Sequence, residues 1–416
     1  MKNVFVCTLA LALSVSGANA ADDFLDRIDD ALVFGDAKGE FRGRLSGTLD
    51  LEGYHFQLPA PGLLYTESKN LFSPRLSLFL DAQLGPRIYA FVQTRADRGF
   101  DPSDEYRQLR VDEYAVRLST GDEGRFNVQI GKFATVVGNW VGRHNSWDNP
   151  FITAPLVYEN LTGIWDVASP DSTETLQRWA HVRPSSLVDG EKEDKERRLP
   201  VIWGPNYSSG VAISGQIERF QYAIEFKNSA LASRPDSWGA ANVQWQNPTL
   251  SGRVGCRPNE AWNLGVSASS GSYLHSTGTP TLAPDRSLSD YREILLGQDV
   301  GFAWHHLQLW TEVFAARFQI PRVGDADTVS YYVEAKYKFT AQFFGAVRWN
   351  QQIYGTMRDS SGQRSVWGRD VWRIDFAPAY RFTPHTQLKL QYSLQRTTGS
   401  VTEWNNILAI QSTIRF

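Results

Sequence analysis

The stretch Phe41–Gly53 reads FRGRLSGTLDLEG and alternates strictly between two kinds of residue. Its even positions hold Arg, Ser, Thr, Asp and Glu, and its odd positions hold Phe, Leu and Gly. Successive side chains of a β-strand point to opposite faces, so the pattern puts apolar side chains on one face and polar ones on the other. The stretch is therefore predicted to be a strand with one oily and one wetted face.

The same alternation recurs along the chain. Near 75–84, 329–339, 372–376, 387–394 and 408–416, the charged residues all fall on one face, opposite a face of mainly apolar residues. Reading strands by this two-residue period gives about sixteen, within a range of about 14 to 18. Their predicted positions are 40–56, 71–84, 87–97, 108–118, 125–133, 210–218, 220–228, 249–257, 262–270, 291–304, 307–318, 328–339, 341–353, 370–382, 386–396 and 405–416.

The connections between these strands alternate between short and long. Short ones, such as 85–86 and 305–306, take turns with long ones near 57–70, 98–107, 134–209, 229–248, 271–290, 319–327, 354–369 and 397–404. A soluble β-sandwich also alternates along its strands, but nothing in its architecture keeps this order of connections. Bacterial outer-membrane barrels have an even strand count, short periplasmic turns and long external loops. The predicted fold is all-β, a transmembrane antiparallel up-and-down β-barrel in the outer membrane.

The first residues predict export from the cytoplasm. A lysine at position 2, an apolar run over 4–15 and the sequence Ala18-Asn19-Ala20 are typical of a cleaved signal peptide, here 1–20. The run is too short for a spanning helix. Residues 21–39, with one short amphipathic helix within 22–38, are predicted to be a periplasmic segment, and 40–416 the barrel.

Composition and motifs exclude several classes of function. The net charge of −3 argues against a nucleic-acid partner. Cys256 is the only cysteine after the signal peptide, so no disulfide framework is expected. The sequence contains no G-x-S-x-G, no H-E-x-x-H and no Cys/His cluster. We therefore expect a protein that is not an enzyme and that has no cofactor and no metal site.

The longest connection, 134–209, is the third long loop and holds five tryptophans. So much apolar surface is not expected to stay in solvent. Two placements remain open: a constriction inside the barrel, or a cap over its mouth. The candidate constriction residues are Trp140, Arg143, Trp147, Asp148, Glu159 and Trp165.

The wetted faces of the strands should line the barrel interior, and they hold more basic than acidic residues. Rings of Arg and Lys favour anions in a pore, which predicts a mild anion preference. The alternative is that these residues pair across strands. The same register also turns Arg381 and Arg415 inward. The candidate pore-lining residues are Arg42, Arg44, Arg75, Arg95, Arg117, Arg253, Lys336, Arg348, Arg373, Lys389, Asp81, Glu113 and Glu312.

The segment 111–118, followed by 125–133, resembles the strand pair before the third loop of the phosphate-selective porin O/P family. The resemblance covers these segments alone, and that family's lumenal arginines and phosphate-binding lysines have no residue-by-residue match here. It implies a Gram-negative outer-membrane porin whose third external loop narrows the barrel. Partners implied are outer-membrane lipid and lipopolysaccharide, small hydrophilic solutes, and two further copies in a homotrimer. The alternating strand that ends at Phe416 resembles the signal read by the barrel-assembly machinery.

Three competing functions remain open at this level. A sugar-selective channel would use Trp and Tyr as stacking surfaces, and Tyr89, Phe91, Tyr332 and Phe344 fall on inward faces. A structural or adhesive barrel would be plugged by its long loop. An outer-membrane hydrolase would need a catalytic motif that the sequence does not contain.

Overall fold

The computed structural model describes residues 18–66, 68–97, 108–120, 124–181, 197–234, 248–399 and 402–416. Most of the predicted signal peptide, 1–17, lies outside them. Within these ranges, sixteen antiparallel strands pair in chain order, and β16 pairs with β1, so the sheet is closed. The predicted barrel is confirmed. The strands are β1 Phe41–Phe56, β2 Asn70–Leu84, β3 Ile88–Asp97, β4 Gln108–Thr120, β5 Phe126–Phe133, β6 Ser208–Ile217, β7 Phe220–Lys227, β8 Thr249–Cys256, β9 Trp262–Ser272, β10 Arg292–Trp304, β11 Leu307–Ile320, β12 Gly324–Lys338, β13 Phe343–Tyr354, β14 Val371–Arg381, β15 Thr386–Thr397 and β16 Glu403–Arg415.

The two faces of the sheet differ as the alternation predicts. Side chains such as Ile130, Ile224 and Val254 are exposed on the outside, while Glu334 and Arg373 are buried on the inside. Closure leaves no strand edge, so backbone N–H and C=O groups are satisfied within the ladder. An apolar exterior on a closed ladder is what a bilayer requires of a β protein.

The last strand closes the barrel against the first. The backbone of Phe416 exchanges two hydrogen bonds with Gly47, of 2.8 and 3.0 Å. The Phe416 ring covers Gly47 so closely that a Cβ there would lie 2.6 Å from it. A glycine is therefore required at position 47 for the terminal aromatic ring to pack on β1.

The predicted long loop 319–327 is wrong. β11 continues to Ile320 and β12 begins at Gly324, leaving a turn of three residues. Arg317 extends the hairpin by pairing with Asp325 at 3.1 Å and with Asp327 at 2.6 Å. Polar residues at this point form cross-strand pairs rather than a loop.

A β-bulge interrupts β4. Gln93 faces Glu113, but its neighbour Thr94 faces Val111, so Asp112 is an extra residue on β4. An unpaired extra residue reverses the alternation beyond it. Before the bulge the even residue Arg110 is buried inside, and after it the odd residues Glu113 and Arg117 face inward.

In the described part of the chain, three α-helices lie outside the strands: α1 Ala18–Ala31, α2 Leu156–Glu159 and α3 Thr173–His181. α1 includes the helix expected within 22–38, although it begins earlier. The short strand Val33–Gly35 joins it to the barrel by pairing with β1. Among the described residues, no helix combines the length and hydropathy needed to cross a membrane.

Candidate functional site

The described part of the long connection between β5 and β6 packs against the inner wall of the barrel. Its residues Val137, Trp140 and Tyr158 share one buried apolar cluster with Phe314 and Tyr332 of the wall. Apolar burial of this kind holds the loop inside, because exposing these side chains to water is unfavourable.

Glu312 of β11 anchors the start of the loop. Its carboxylate accepts hydrogen bonds from the backbone N–H of Asn139, from that of Trp140 at 3.1 Å, and from the Tyr158 hydroxyl at 2.8 Å. Gly138 precedes these donors with a φ of 77°. A Cβ on Gly138 would lie 2.5 Å from the carboxylate, so this approach requires glycine.

Buried ion pairs join the loop to β12, β13 and β14. Arg348 donates to Asp375 at 2.9 Å and to the carbonyl of Thr153 at 2.9 Å. Arg373 also pairs with Asp375, at 3.0 Å, and with Glu159 of the loop. Arg143 of the loop contacts Glu334 at 2.5 Å and the ring of Trp310. We call this set the central ion-pair network: Arg143, Glu159, Glu334, Arg348, Arg373 and Asp375.

Lys389 of β15 holds the middle of the loop. Its ammonium donates to the carbonyls of Ser146 at 2.6 Å, Asn149 at 3.0 Å and Phe151 at 3.3 Å. An ammonium has three hydrogens, so these acceptors satisfy it fully. Backbone carbonyls of the loop therefore stabilise the Lys389 ammonium, whereas carboxylates stabilise the arginines of the central ion-pair network.

The wall formed by β1 to β4 has its own ion pairs. Arg75 pairs with Asp50 at 3.2 Å and with Glu52. Arg95 pairs with Asp97 and Asp112, both at 3.2 Å. Arg110 pairs with Asp97 at 2.8 Å. Arg75, Arg95 and Arg110 are therefore compensated by neighbouring carboxylates.

A cavity lies between this wall and the loop. Charged, amide and aromatic side chains all line it. They include Asp50, Arg75, Gln93, Arg95, Trp140, His144, Asn145, Asn149, Tyr158, Glu159, Trp203, Tyr207 and Gln411.

His144 stands on the loop side of this cavity. Its Nε2 is 2.7 Å from the Tyr207 hydroxyl, and its Nδ1 is 2.5 Å from the carbonyl of Val141. Burial lowers the pKa of His144 to about 4, with a further lowering from the nearby Arg95. The ring is therefore neutral at physiological pH.

A second cavity lies at the end of the barrel where the short turns are. Thr48, Gln93 and Asn145 line both cavities. α1 also borders the second cavity. Its Asp29 pairs with Arg44 at 2.8 Å, and its Asp26 lies 2.8 Å from Nε2 of His385.

Four further pore-lining candidates make local contacts on the wall. Arg117 donates to Gln129 at 2.8 and 3.0 Å, and Arg253 forms a bidentate pair with Asp299 at 2.6 and 2.9 Å. Asp81 accepts from the Tyr89 hydroxyl. Glu113 accepts from the backbone N–H of Ala134 at 2.7 Å, so it is another anchor of the loop.

The remaining candidates lie outside the central ion-pair network. Arg42 is exposed at the beginning of β1, and Asp148 is exposed on the loop. Trp147 and Lys336 are buried toward the short-turn end. Trp165 stacks on Trp179 of α3 at 3.8 Å and does not line the first cavity.

Unbroken alternation misses Arg110 and Asp112, which are both fully buried inside the barrel. A signal for them was present in the sequence. Asp112 and Glu113 are adjacent, and two adjacent carboxylates cannot both face the interior of a regular strand. A bulge resolves the conflict by turning both inward.

Comparison with known proteins gives a fold but no family. No family model matches the chain, and no curated protein matches it. Among solved structures, OmpF of Salmonella typhi, in complex with daunomycin, aligns with a TM-score of 0.56 and 10% identity, over 92% of this chain and 100% of that one. The fold is that of an outer-membrane porin.

Two other solved structures agree. The outer-membrane channel DcaP of Acinetobacter baumannii gives a TM-score of 0.56 at 10% identity, covering 92% of this chain and 100% of its own. An anion-selective porin from Comamonas acidovorans gives 0.54 at 12%, covering 91% and 100%. The predicted outer-membrane location agrees with this fold and with the apolar exterior. None of these matches identifies the phosphate-selective family.

Proposed function

We propose that the chain is an outer-membrane porin, a passive diffusion channel for small hydrophilic solutes. The loop 134–209 narrows it, and its anion preference is mild. The proposal is supported chiefly by the loop's attachment to the inner wall through Glu312, Lys389 and the central ion-pair network. A barrel of this strand number is wide enough to leave an aqueous channel, so an internal constriction is needed for selectivity.

The space beside the loop also supports a passage. The two cavities share three lining residues and extend from the middle of the barrel to its short-turn end. A structural barrel plugged by its loop would have no need for open space beside that loop. We therefore prefer the channel to the plugged barrel, and with it a protein that catalyses no reaction.

Single-channel recording in planar bilayers tests this function. We expect discrete conductance steps in KCl from the purified full-length protein. The matched variant is Glu312→Ala, which removes the acceptor for three loop donors and should widen the channel. A protein that inserts into bilayers yet gives no steps, with or without Glu312, would be a plugged barrel.

A sugar-selective channel is the second candidate. The first cavity is favourable to neutral solutes because its charged residues are paired, while Asn145, Asn149 and Gln411 offer amides and Trp140 and Tyr158 offer rings. Liposome swelling with sugars, organic acids and phosphate separates the candidates. Sugars entering faster than anions of equal size would favour the sugar channel.

Assembly and processing complete the proposal. We propose cleavage after residue 20, insertion by the barrel-assembly machinery, contact with lipid and lipopolysaccharide, and a homotrimer, as is common for sixteen-stranded porins. The N-terminal sequence of the mature protein tests the cleavage site, and its mass in detergent tests the trimer. A mature protein that begins before Ala21 would contradict the proposed cleavage, and one that sediments as a monomer would contradict the trimer.

A further inference from the structure

Three basic side chains gather around two aromatic rings at the short-turn end of the barrel. The guanidinium carbons of Arg381 and Arg415 lie 4.8 and 4.1 Å from the ring centre of Trp147. Arg381 also lies 5.8 Å from the ring of Phe344, and the ammonium of Lys336 lies 4.3 Å from the same ring. We call Lys336, Arg381 and Arg415 the short-turn cation cluster. Its members come from β12, β14 and β16, and the loop supplies Trp147.

Within the described residues, no carboxylate lies within 4.0 Å of any of these three cations. Arg381 donates to the Gln387 amide at 2.8 Å and to the carbonyl of Trp147 at 3.1 Å. Arg415 donates from Nε to the carbonyl of Pro384 at 2.6 Å. Neutral acceptors position these side chains without cancelling their charge.

The charges that face the cluster do not balance it. Asp148, exposed on the loop, is the acidic neighbour common to all three cations, and it forms no ion pair with them. Lys338 adds a positive charge beside Lys336, and Asp29 near Arg415 is already paired with Arg44. Positive charge therefore remains in excess around the Trp147 ring, and of the three cations Arg415 lines the second cavity.

We propose that the short-turn cation cluster is a binding site for the carboxylate group of small solutes, and that it is the source of the channel's anion preference. The inference rests on the proposed channel function. Guanidinium groups present planar pairs of donors that match a carboxylate, and the ammonium adds a third donor. Asp148 keeps the site weak by repelling the bound anion, and a weak site is what conduction requires.

Two triple variants with the same loss of charge test the proposal. The first, Lys336→Gln/Arg381→Gln/Arg415→Gln, removes all three positive charges of the short-turn cation cluster. The control, Arg87→Gln/Arg219→Gln/Arg257→Gln, removes three exposed cations at the same end of the barrel. Both are measured as full-length protein, with folding checked by the temperature at which the detergent-solubilised barrel unfolds.

Reversal potentials in a KCl gradient give the chloride-to-potassium permeability ratio. We expect that ratio to fall about threefold or more in the cluster variant, to change little in the control, and to rise in Asp148→Asn. Conductance in potassium acetate should saturate with concentration in the wild type and become linear in the cluster variant. Equal falls in both triple variants would overturn the proposal, because net charge alone would then explain the selectivity.

Binding is measured independently of conduction by saturation-transfer NMR of acetate on the solubilised protein. Acetate signal that survives in the cluster variant would overturn the site even if the channel conducts. Phosphate in place of acetate distinguishes a carboxylate site, where acetate shows the larger loss, from a phosphate site. If the wild type conducts nothing, the proposed function fails, and acetate binding that depends on the cluster would still support the site.

Discussion

The central ion-pair network and the short-turn cation cluster each include an arginine of β14, yet the electrostatic environments of the two arginines differ. Arg373 and Arg381 both belong to β14, but Arg373 has two carboxylates around it and Arg381 has none within the described residues. Arg373 holds the loop in place through its ion pairs. The charge of Arg381 is not neutralised by a carboxylate and is therefore able to attract an anionic solute. A lumenal arginine is therefore informative about selectivity only after its partners are known.

Because many lumenal arginines are paired with carboxylates, the number of basic residues on the wall does not by itself measure the anion preference. The excess of basic residues on the wetted faces predicts an anion preference, but most of those arginines are compensated. Lys389 is compensated without any carboxylate, since backbone carbonyls of the loop surround its ammonium. Any anion preference should thus depend on a few residues at one end of the barrel rather than on the whole wall.

The largest expected effect is from breaking the central network. Arg373→Ala would leave Asp375 and Glu159 each short of a partner in a buried site and should cost about 3–5 kcal/mol of unfolding free energy. Arg381→Ala, the matched change on the same strand, should cost about 1 kcal/mol or less of unfolding free energy, because it leaves no buried carboxylate without a partner. Chemical unfolding of both variants in lipid vesicles measures the difference. Equal costs would mean that the two regions do not differ as described.

The barrel follows from the sequence because alternation is a local signal repeated in every strand. Phe41–Gly53 alone predicts its own inner and outer faces, and the ladder then places Asp50 and Glu52 inside. Departures occur where one residue changes the register. The bulge at Asp112 brings in Arg110, and the ion pairs of Arg317 shorten a predicted loop.

The site could be predicted only in part. Alternation predicts which way a side chain faces, so the sequence predicts Glu312, Arg348 and Lys389 inside the barrel. Their partners could not be found, because Glu312 and Asn139 are 173 positions apart along the chain. Contacts between a loop and a wall depend on how the loop folds, and no periodicity encodes that path.

A second, smaller effect is expected at the other end of the loop. Glu312→Ala removes the acceptor of two backbone N–H groups and the Tyr158 hydroxyl, and leaving a buried donor unsatisfied costs about 1–3 kcal/mol. We expect a loss of about 2–3 kcal/mol in stability together with larger or noisier conductance steps. Glu260→Ala, an exposed carboxylate in the β8–β9 turn, is the control. Lower stability with unchanged conductance would separate the anchor from the constriction.

The smallest effect concerns His144, which carries no charge at neutral pH and so belongs to neither region. Its pKa is about 4 in the folded protein, below the ordinary value of about 6.5, because burial disfavours the charged ring. The unfolded chain therefore binds more protons between pH 6.5 and pH 4, and stability must fall as the pH is lowered through that window. At pH 5.5 the resulting loss of unfolding free energy is about 1 kcal/mol, and above pH 7 there is no such loss.

The variant His144→Gln isolates this contribution, since the other titrating groups are unchanged. The stability difference between wild type and variant should shrink by about 1 kcal/mol between pH 7.5 and pH 5.5. Protonation would also place a new cation beside Arg95, in a cavity where the charges are otherwise paired. Below pH 5 the wild type should then gain anion preference that the variant does not. An identical pH dependence of the reversal potential in both proteins would show that His144 does not face the permeating ions.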